Sequence, residues 1–216
     1  MCNVVTNDEK HQALLQPDLR KNNMRAVHLL GLCGSLRHAS GNAIILRTLA
    51  TELLPPEVHL HIHNLHDLPL YNGDADNDAA PASVRALREA VEEADGIVLG
   101  CPEYNQGMSG VMKNALDWLS APHRQSPFKR KPTITFTGTP LVTGGSRAQQ
   151  QLNETLWAMQ ATLVPYPQIV IAEMDAKIRD GRLWDEAARQ FLGQGISVLA
   201  DMSRESAALR SSLICV

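Results

Sequence analysis

The stretch AVHLLGLCGSLRHASGNAIILRTLATELLPP, residues 26–56, decides the fold. Residues 26–33 form a short apolar run closed by Gly34-Ser35, the pattern of a strand buried on both faces. Ser40-Gly41-Asn42 then precede the apolar-rich segment 43–54, where a Ser or Asn can cap free N–H groups of a helix that Pro55-Pro56 ends. Strand, loop and helix follow one another with no room for a hairpin.

Further along the chain the same unit repeats. Residues 58–62 read as a second strand, 67–74 as an irregular loop, and Val84, Leu87, Val91 and Ala94 as one face of a helix ending at Asp95-Gly96. A third strand is expected over 96–101 and a helix over 109–119, then a fourth strand over 133–138. Leu152, Leu156, Met159 and Leu163 mark another helix, 166–171 a fifth strand, and 185–204 a last helix with Phe191, Leu192, Ile196, Leu199 and Met202 inward. Strands that alternate with helices predict an α/β fold, a parallel sheet covered on both sides through right-handed crossovers. The domain is expected over 26–206, with an N-terminal arm over 1–25, a start at Met24 leaving a complete domain, and a C-terminal tail over 207–216.

Composition narrows the function classes. The 216 residues are 44% hydrophobic and 20% charged, with no run near the roughly 18 apolar residues of a membrane span, so disordered and integral-membrane classes are excluded. A formal charge of −3 gives no field to recruit nucleic acid or anionic membrane. Cys2, Cys33, Cys101 and Cys215 show no CxxC spacing and no secretory signal precedes them, which suits reduced thiols in the cytoplasm.

In a parallel sheet the ligand crevice lies at the carboxyl ends of the strands, so the loops after strands one, three and four are decisive. The first carries Ser35, Arg37, Ser40, Gly41 and Asn42 at a helix N-terminus, a cradle for a phosphate. No Gly-Lys pair follows, which excludes a nucleoside triphosphate loop, and a GxGxxG count from Gly31 lands on Cys33 and Leu36. A single phosphate ester fits; the plainer alternative is a capped strand-to-helix connection with a surface Arg. The second loop places Tyr104, one of only three Tyr, three Phe and three Trp, between Pro102-Glu103 and Asn105. The third, from Gly138 to Gly144-Gly145, can wrap a planar group with main chain. Together they outline a slot with one phosphate end and one flat end, the shape of FMN.

GSLRHASGN (34–42), DLPLYNGD (67–74), CPEYNQGMSGVMKNALDWLS (101–120) and GTPLVTGGSRAQQQL (138–152) resemble the NADPH-dependent FMN reductase family, in its quinone, azo-compound and chromate reductase branch. The resemblance extends from about residue 24 to about residue 170 and implies a flavodoxin-like doubly wound sheet of five strands in the order 2-1-3-4-5. It implies that Ser35, Arg37, Ser40 and Asn42 hold the FMN phosphate, that Pro102, Glu103, Tyr104 and Asn105 line the isoalloxazine, and that Gly144 and Gly145 close the other side. NADPH or NADH would pass a hydride to the flavin and leave, and an acceptor in the same place would take two electrons. Quinones, azo compounds, metal oxyanions and free flavin are the implied acceptors. The flavin carries the chemistry, so no catalytic acid or nucleophile is named. Relatives form dimers and tetramers, and a homo-oligomer is expected. The sequence departs from the family at Gln106-Gly107-Met108 and over 138–142.

Other features carry less. His59, His61 and His63 share one face of an edge strand, the pattern of a solvated face more than of a metal site, and no metal ligands are named. Arg124, Lys129, Arg130 and Lys131 form a basic loop that is either solvated or directed at the NADPH 2′-phosphate, in its own subunit or from a neighbouring one. Cys33 and Cys101, at adjacent strand ends, need no redox role, and Trp118 and Trp157 read as core or subunit contacts. An electron-transfer flavodoxin or a non-catalytic FMN-binding module is the rival class; the first would be strongly acidic with a Thr-rich phosphate loop.

Overall fold

The computed structural model describes residues 25–120 and 126–214. Residues 1–24 of the arm expected over 1–25 lie outside the described residues, as do Arg124 and Cys215. Strand β1 (Val27–Cys33) leads through the first loop into α1 (Gly41–Glu52), and β2 (Val58–His63) follows. Next come α2 (Ala82–Glu93), β3 (Gly96–Gly100), a hairpin of β4 (Glu103–Tyr104) and β5 (Gly107–Met108), and α3 (Gly110–Ser120). Beyond them lie β6 (Pro132–Gly138), α4 (Ser146–Ala158), β7 (Thr162–Leu163) and β8 (Ile169–Ile171). The chain closes with the one-turn α5 (Met174–Lys177), the hairpin β9 (Ile178–Arg179) and β10 (Arg182–Leu183), and α6 (Glu186–Ile214).

The sheet runs β2-β1-β3-β6, all parallel, with β7 and β8 both paired to the far edge of β6. This is the expected order, with its fifth position divided. Thr162 and Leu163 pair with Pro132 and Thr133, whereas Ile169 to Ile171 pair with Phe136 to Gly138. Between them lie Pro165 and Pro167, which have no N–H to donate, so the expected strand over 166–171 shortens to its last three residues. Leu163, expected on a helix, is in β7, because α4 ends at Ala158.

One layer, α1 and α6, packs Ile45, Leu46, Leu49, Leu192, Ile196 and Leu199 against Val27, Leu29, Val98 and Phe136. The other, α2, α3 and α4, packs Leu87, Val91, Met112, Leu116, Leu152 and Leu156 against Leu30, Leu32, Ile97 and Leu99. Alternate strand residues thus feed opposite cores, which is why the strands are almost continuously apolar. Helix α6 runs ten residues past the expected end at Arg204, through the residues assigned to a tail. Residues 205–214 contain neither Gly nor Pro to stop it, and Ala207 is still buried.

Several secondary features find their place in this framework. Trp118 is fully buried and donates from Nε1 to Pro69 O at 2.9 Å, pinning the 67–74 loop to α3, while Trp157 is exposed on α4. The Lys131 ammonium is buried and donates to Glu92 O and Ala94 O, where it caps the C-terminal end of α2. It lies at the opening of β6, at the opposite end of the sheet from the loops that matter. Among the described residues no group of three or more His, Cys, Asp or Glu is placed to hold a metal ion. His59 instead stacks on His28 of β1, ring centroids 5.5 Å apart.

Candidate functional site

The loops after β1, β3 and β6 converge at the carboxyl edge of the sheet, where the order reverses between β1 and β3. They enclose a cavity of about 50 Å³ whose wall includes Ser35, Arg37, Ser40, Gly41, Asn42, Pro102, Glu103, Tyr104 and Gly138. Nine of the twelve residues singled out in the sequence therefore meet in one place. Asn105, Gly144 and Gly145 do not reach the wall.

At one end, Ser40 caps α1: its Oγ accepts from Ala43 N at 3.3 Å and its carbonyl accepts from Ile44 N. The amides of Gly41 and Asn42, at the first turn, point from the positive end of the helix dipole. The Ser40 hydroxyl is buried, and the Arg37 guanidinium is exposed with no ion pair among the described residues. Asn42 behaves differently from its expected role. Its Oδ1 accepts from Gly138 N at 3.0 Å and its Nδ2 donates to Gly138 O at 2.9 Å, so the buried side chain is committed to clamping α1 to the end of β6. Only its main-chain amide belongs to the cradle.

At the other end, the β4–β5 hairpin turns on Asn105 and Gln106, both left-handed at φ 48° and 65°. Two positive φ values in succession make the turn whose twist suits a two-residue hairpin, and Asn tolerates them. Asn105 is thus a turn residue, not a wall. Tyr104 stands at the mouth, 46% exposed, its OH 3.4 Å from Ser35 Oγ. The Glu103 carboxylate accepts from Arg147 N and Ala148 N at 3.1 and 3.2 Å, capping α4 from across the site. The only carboxylate in the wall is therefore already engaged by two amides.

Gly144 and Gly145 have φ of 65° and 88°, a conformation that glycine adopts at no steric cost. A Cβ on Gly145 would stand 2.3 Å from Thr137 Oγ1, a buried hydroxyl without a hydrogen-bond partner, and 3.3 Å from Glu103 Cβ. The glycine lets the third loop pass directly under the second. Leu141 and Val142 project outward, 65% and 77% exposed, from a loop whose Leu141 carbonyl accepts from Gly144 N, Glu173 N and Thr139 Oγ1.

Sequence reasoning missed four contributors. Thr139 and Pro140 line the cavity from within a stretch already singled out. Ser109, fully buried, donates to Gly34 O at 2.6 Å and accepts from Met112 N, joining the first loop to α3. Met174 fills the space left by two glycines: a Cβ on Gly41 would fall 2.3 Å from its Cε, and one on Gly138 2.7 Å from its Sδ. Nothing local in the sequence marked Met174. The two thiols are in different layers, Cys33 beside the α1/α6 core and Cys101 within the other. Burial pushes the Cys33 thiol up and Cys101 to about 11, only partly offset by hydrogen bonds from Ser35 and Ser40 to Cys33 and from Ser109 to Cys101. Both are held protonated, which suits small core residues and no thiolate chemistry.

A wound parallel sheet with an anion cradle at its reversal point and an aromatic beside it defines the class of flavodoxin-like nucleotide-binding proteins. The sequence model of the family described as NADPH-dependent FMN reductase matches residues 27–175, and this chain belongs to that family of oxidoreductases. It is 35% identical over 174 residues to an NAD(P)H-dependent FMN reductase of Pseudomonas aeruginosa, covering 80% of this chain and 93% of that one. A quinone reductase of Escherichia coli K12 is 34% identical over 170 residues, with 77% and 89% covered. Among solved structures, FerB, a flavoenzyme NAD(P)H:(acceptor) oxidoreductase of Paracoccus denitrificans, superposes with a TM-score of 0.74 at 30% identity, over 84% of this chain and 99% of FerB. The flavodoxin-like fold follows from the strand order and this likeness together.

The cradle suits the cofactor of the family. Open α1 amides, the hydroxyls of Ser35 and Ser40 and one cation answer a phosphate monoester, and Gly138 lies in the same wall. No described helix is long and apolar enough to cross a membrane.

Proposed function

We propose that the chain is an FMN-dependent NAD(P)H oxidoreductase that delivers two electrons to quinones, azo compounds, metal oxyanions or free flavin. Donor and acceptor take turns in one slot. The observation that carries this reading is the cradle itself: an open helix N-terminus, two buried hydroxyls and a guanidinium with no ion pair among the described residues, in a wall whose Glu103 carboxylate α4 has already engaged.

Ser35, Arg37, Ser40 and the amides of Gly41 and Asn42 would hold the FMN phosphate. Pro102, Tyr104 and the main chain from Gly138 onward would flank the ring, with Asn105, Gly144 and Gly145 shaping the loops that do so. Bound there, FMN supplies the hydride-transfer chemistry. The chain's own task is orientation: Glu103 locks the second loop to α4, Asn42 locks the first to β6, and the two ends of the slot keep a fixed separation. No side chain in the wall is assigned a proton to move.

The exposed Tyr104, Leu141 and Val142 beside the mouth support a homo-oligomer in which a second copy covers the slot. A cytoplasmic location belongs to the same reading, supported by the unpaired thiols Cys33 and Cys101. Initial-rate measurements with FMN-loaded protein, NADPH and benzoquinone test the proposal. It expects acceptor-dependent NADPH oxidation with parallel double-reciprocal lines. Absence of oxidation overturns the enzyme reading, and intersecting lines overturn the shared slot.

A further inference from the structure

A second cavity, of about 250 Å³, lies on the outer flank of the first loop, between α1 and the end of β2. Its wall includes Arg37, His38, Arg47, His63 and His66, and no carboxylate among the described residues. In a chain with 23 acidic against 20 basic residues, such a concentration of nitrogen bases is unusual. Neither guanidinium has an ion pair among the described residues. His66 is held in place: Nε2 stands 3.3 Å from Leu36 O, and Nδ1 contacts Asn64 Oδ1, which also accepts from His66 N. Ser35 and Arg37 belong both to this wall and to the FMN cradle, so the two cavities are neighbours across one loop.

We propose that this cavity is a second anion site that takes the phosphate monoester of the electron donor, the 2′-phosphate of NADPH, and thereby favours NADPH over NADH. The assignment rests on the function proposed above. The cavity's volume of about 250 Å³ accommodates a phosphate with part of its sugar. Guanidinium forks match a phosphate dianion in geometry as well as charge. Burial and the neighbouring His61 hold His63 below the ordinary histidine range, a cost that a dianion facing His63, His66, Arg37, His38 and Arg47 relieves. The rival basic loop is less suitable: Lys131 is spent on the end of α2, at the opposite end of the sheet.

Calorimetric titration of FMN-loaded protein with 2′,5′-ADP, 5′-AMP and inorganic phosphate tests this directly. The site predicts that 2′,5′-ADP binds at least tenfold tighter than 5′-AMP and than inorganic phosphate. Arg47→Ala and His63→Gln should each reduce that preference about tenfold, the loss of one charge-assisted hydrogen bond, and lower the NADPH-to-NADH ratio of kcat/KM in parallel. FMN occupancy, read from visible absorbance, is the control that the cradle remains intact. Equal binding of 2′,5′-ADP and 5′-AMP, or an unaltered preference in both variants, overturns the site. Inorganic phosphate that binds as tightly as 2′,5′-ADP overturns the assignment to the donor. A protein that oxidises neither nucleotide would refute the enzymatic reading, while the titration would still decide this one.

Discussion

The two ends of the slot are built in different ways. The phosphate end stands on regular structure: the first turn of α1, capped by Ser40 and clamped to β6 through both polar atoms of Asn42. The ring end is made of loops, a two-residue hairpin and a glycine turn, with Tyr104, Leu141 and Val142 left facing out. One end is therefore suited to holding a constant group and the other to meeting varied ones. Retention of the cofactor and tolerance for acceptors become separable properties.

Asn42→Ala should break this contrast most severely. It leaves the buried N–H and C=O of Gly138 without partners, at a cost of about 2–4 kcal/mol in urea unfolding, and loosens the rigid end. Arg37→Ala should act on the same end in the opposite manner. FMN affinity should fall about tenfold by fluorescence titration, while the stability of the FMN-free protein shifts by less than about 0.5 kcal/mol, because the side chain is exposed and unpaired among the described residues. FMN retention that does not change in Arg37→Ala would sink the phosphate assignment.

A pH experiment examines the floor beneath both ends, where Cys101 lies against Ser109 and Gly34. The unfolded chain releases the Cys101 proton near the ordinary value of 9.0, whereas the folded chain keeps it until about 11. The thiol's contribution to stability is thus fully present below about 9 and is lost as pH rises toward about 11. Cys101→Ala should remove that part of the alkaline decline, seen as a flatter unfolding free energy over this window. Tyr104→Phe should be the mildest change, under about 0.5 kcal/mol in stability, because its 3.4 Å contact with Ser35 is partly solvated. A large loss of stability in this variant would show that the ring end is as rigid as the phosphate end.

Local pattern revealed much of this. The strand, loop and capped helix over residues 26–54 survive nearly residue for residue as β1 and α1, because apolar run, N-cap and Pro-Pro stop all agree. The meeting of Ser35, Arg37, Ser40 and Tyr104 followed from placing loops at strand ends. Side-chain commitments over long separations could not be read. Asn42 finds Gly138 96 residues away, and Glu103 finds the start of α4 44 and 45 residues away, so neither side-chain engagement shows in the local pattern. Pro165 and Pro167 mark the division of the fifth strand, while the apolar residues beside them read as one continuous strand. Helix α6 outran its expected end because the absence of a stop signal is easily taken for a tail.

The visible absorption spectrum of the purified protein, reconstituted with FMN and freed of excess, tests the central claim most directly. The account predicts a stoichiometric flavin spectrum that bleaches when NADPH is added without oxygen and returns on addition of a quinone. A protein that retains no FMN, or whose bound FMN is left unbleached by both NADPH and NADH, would contradict it.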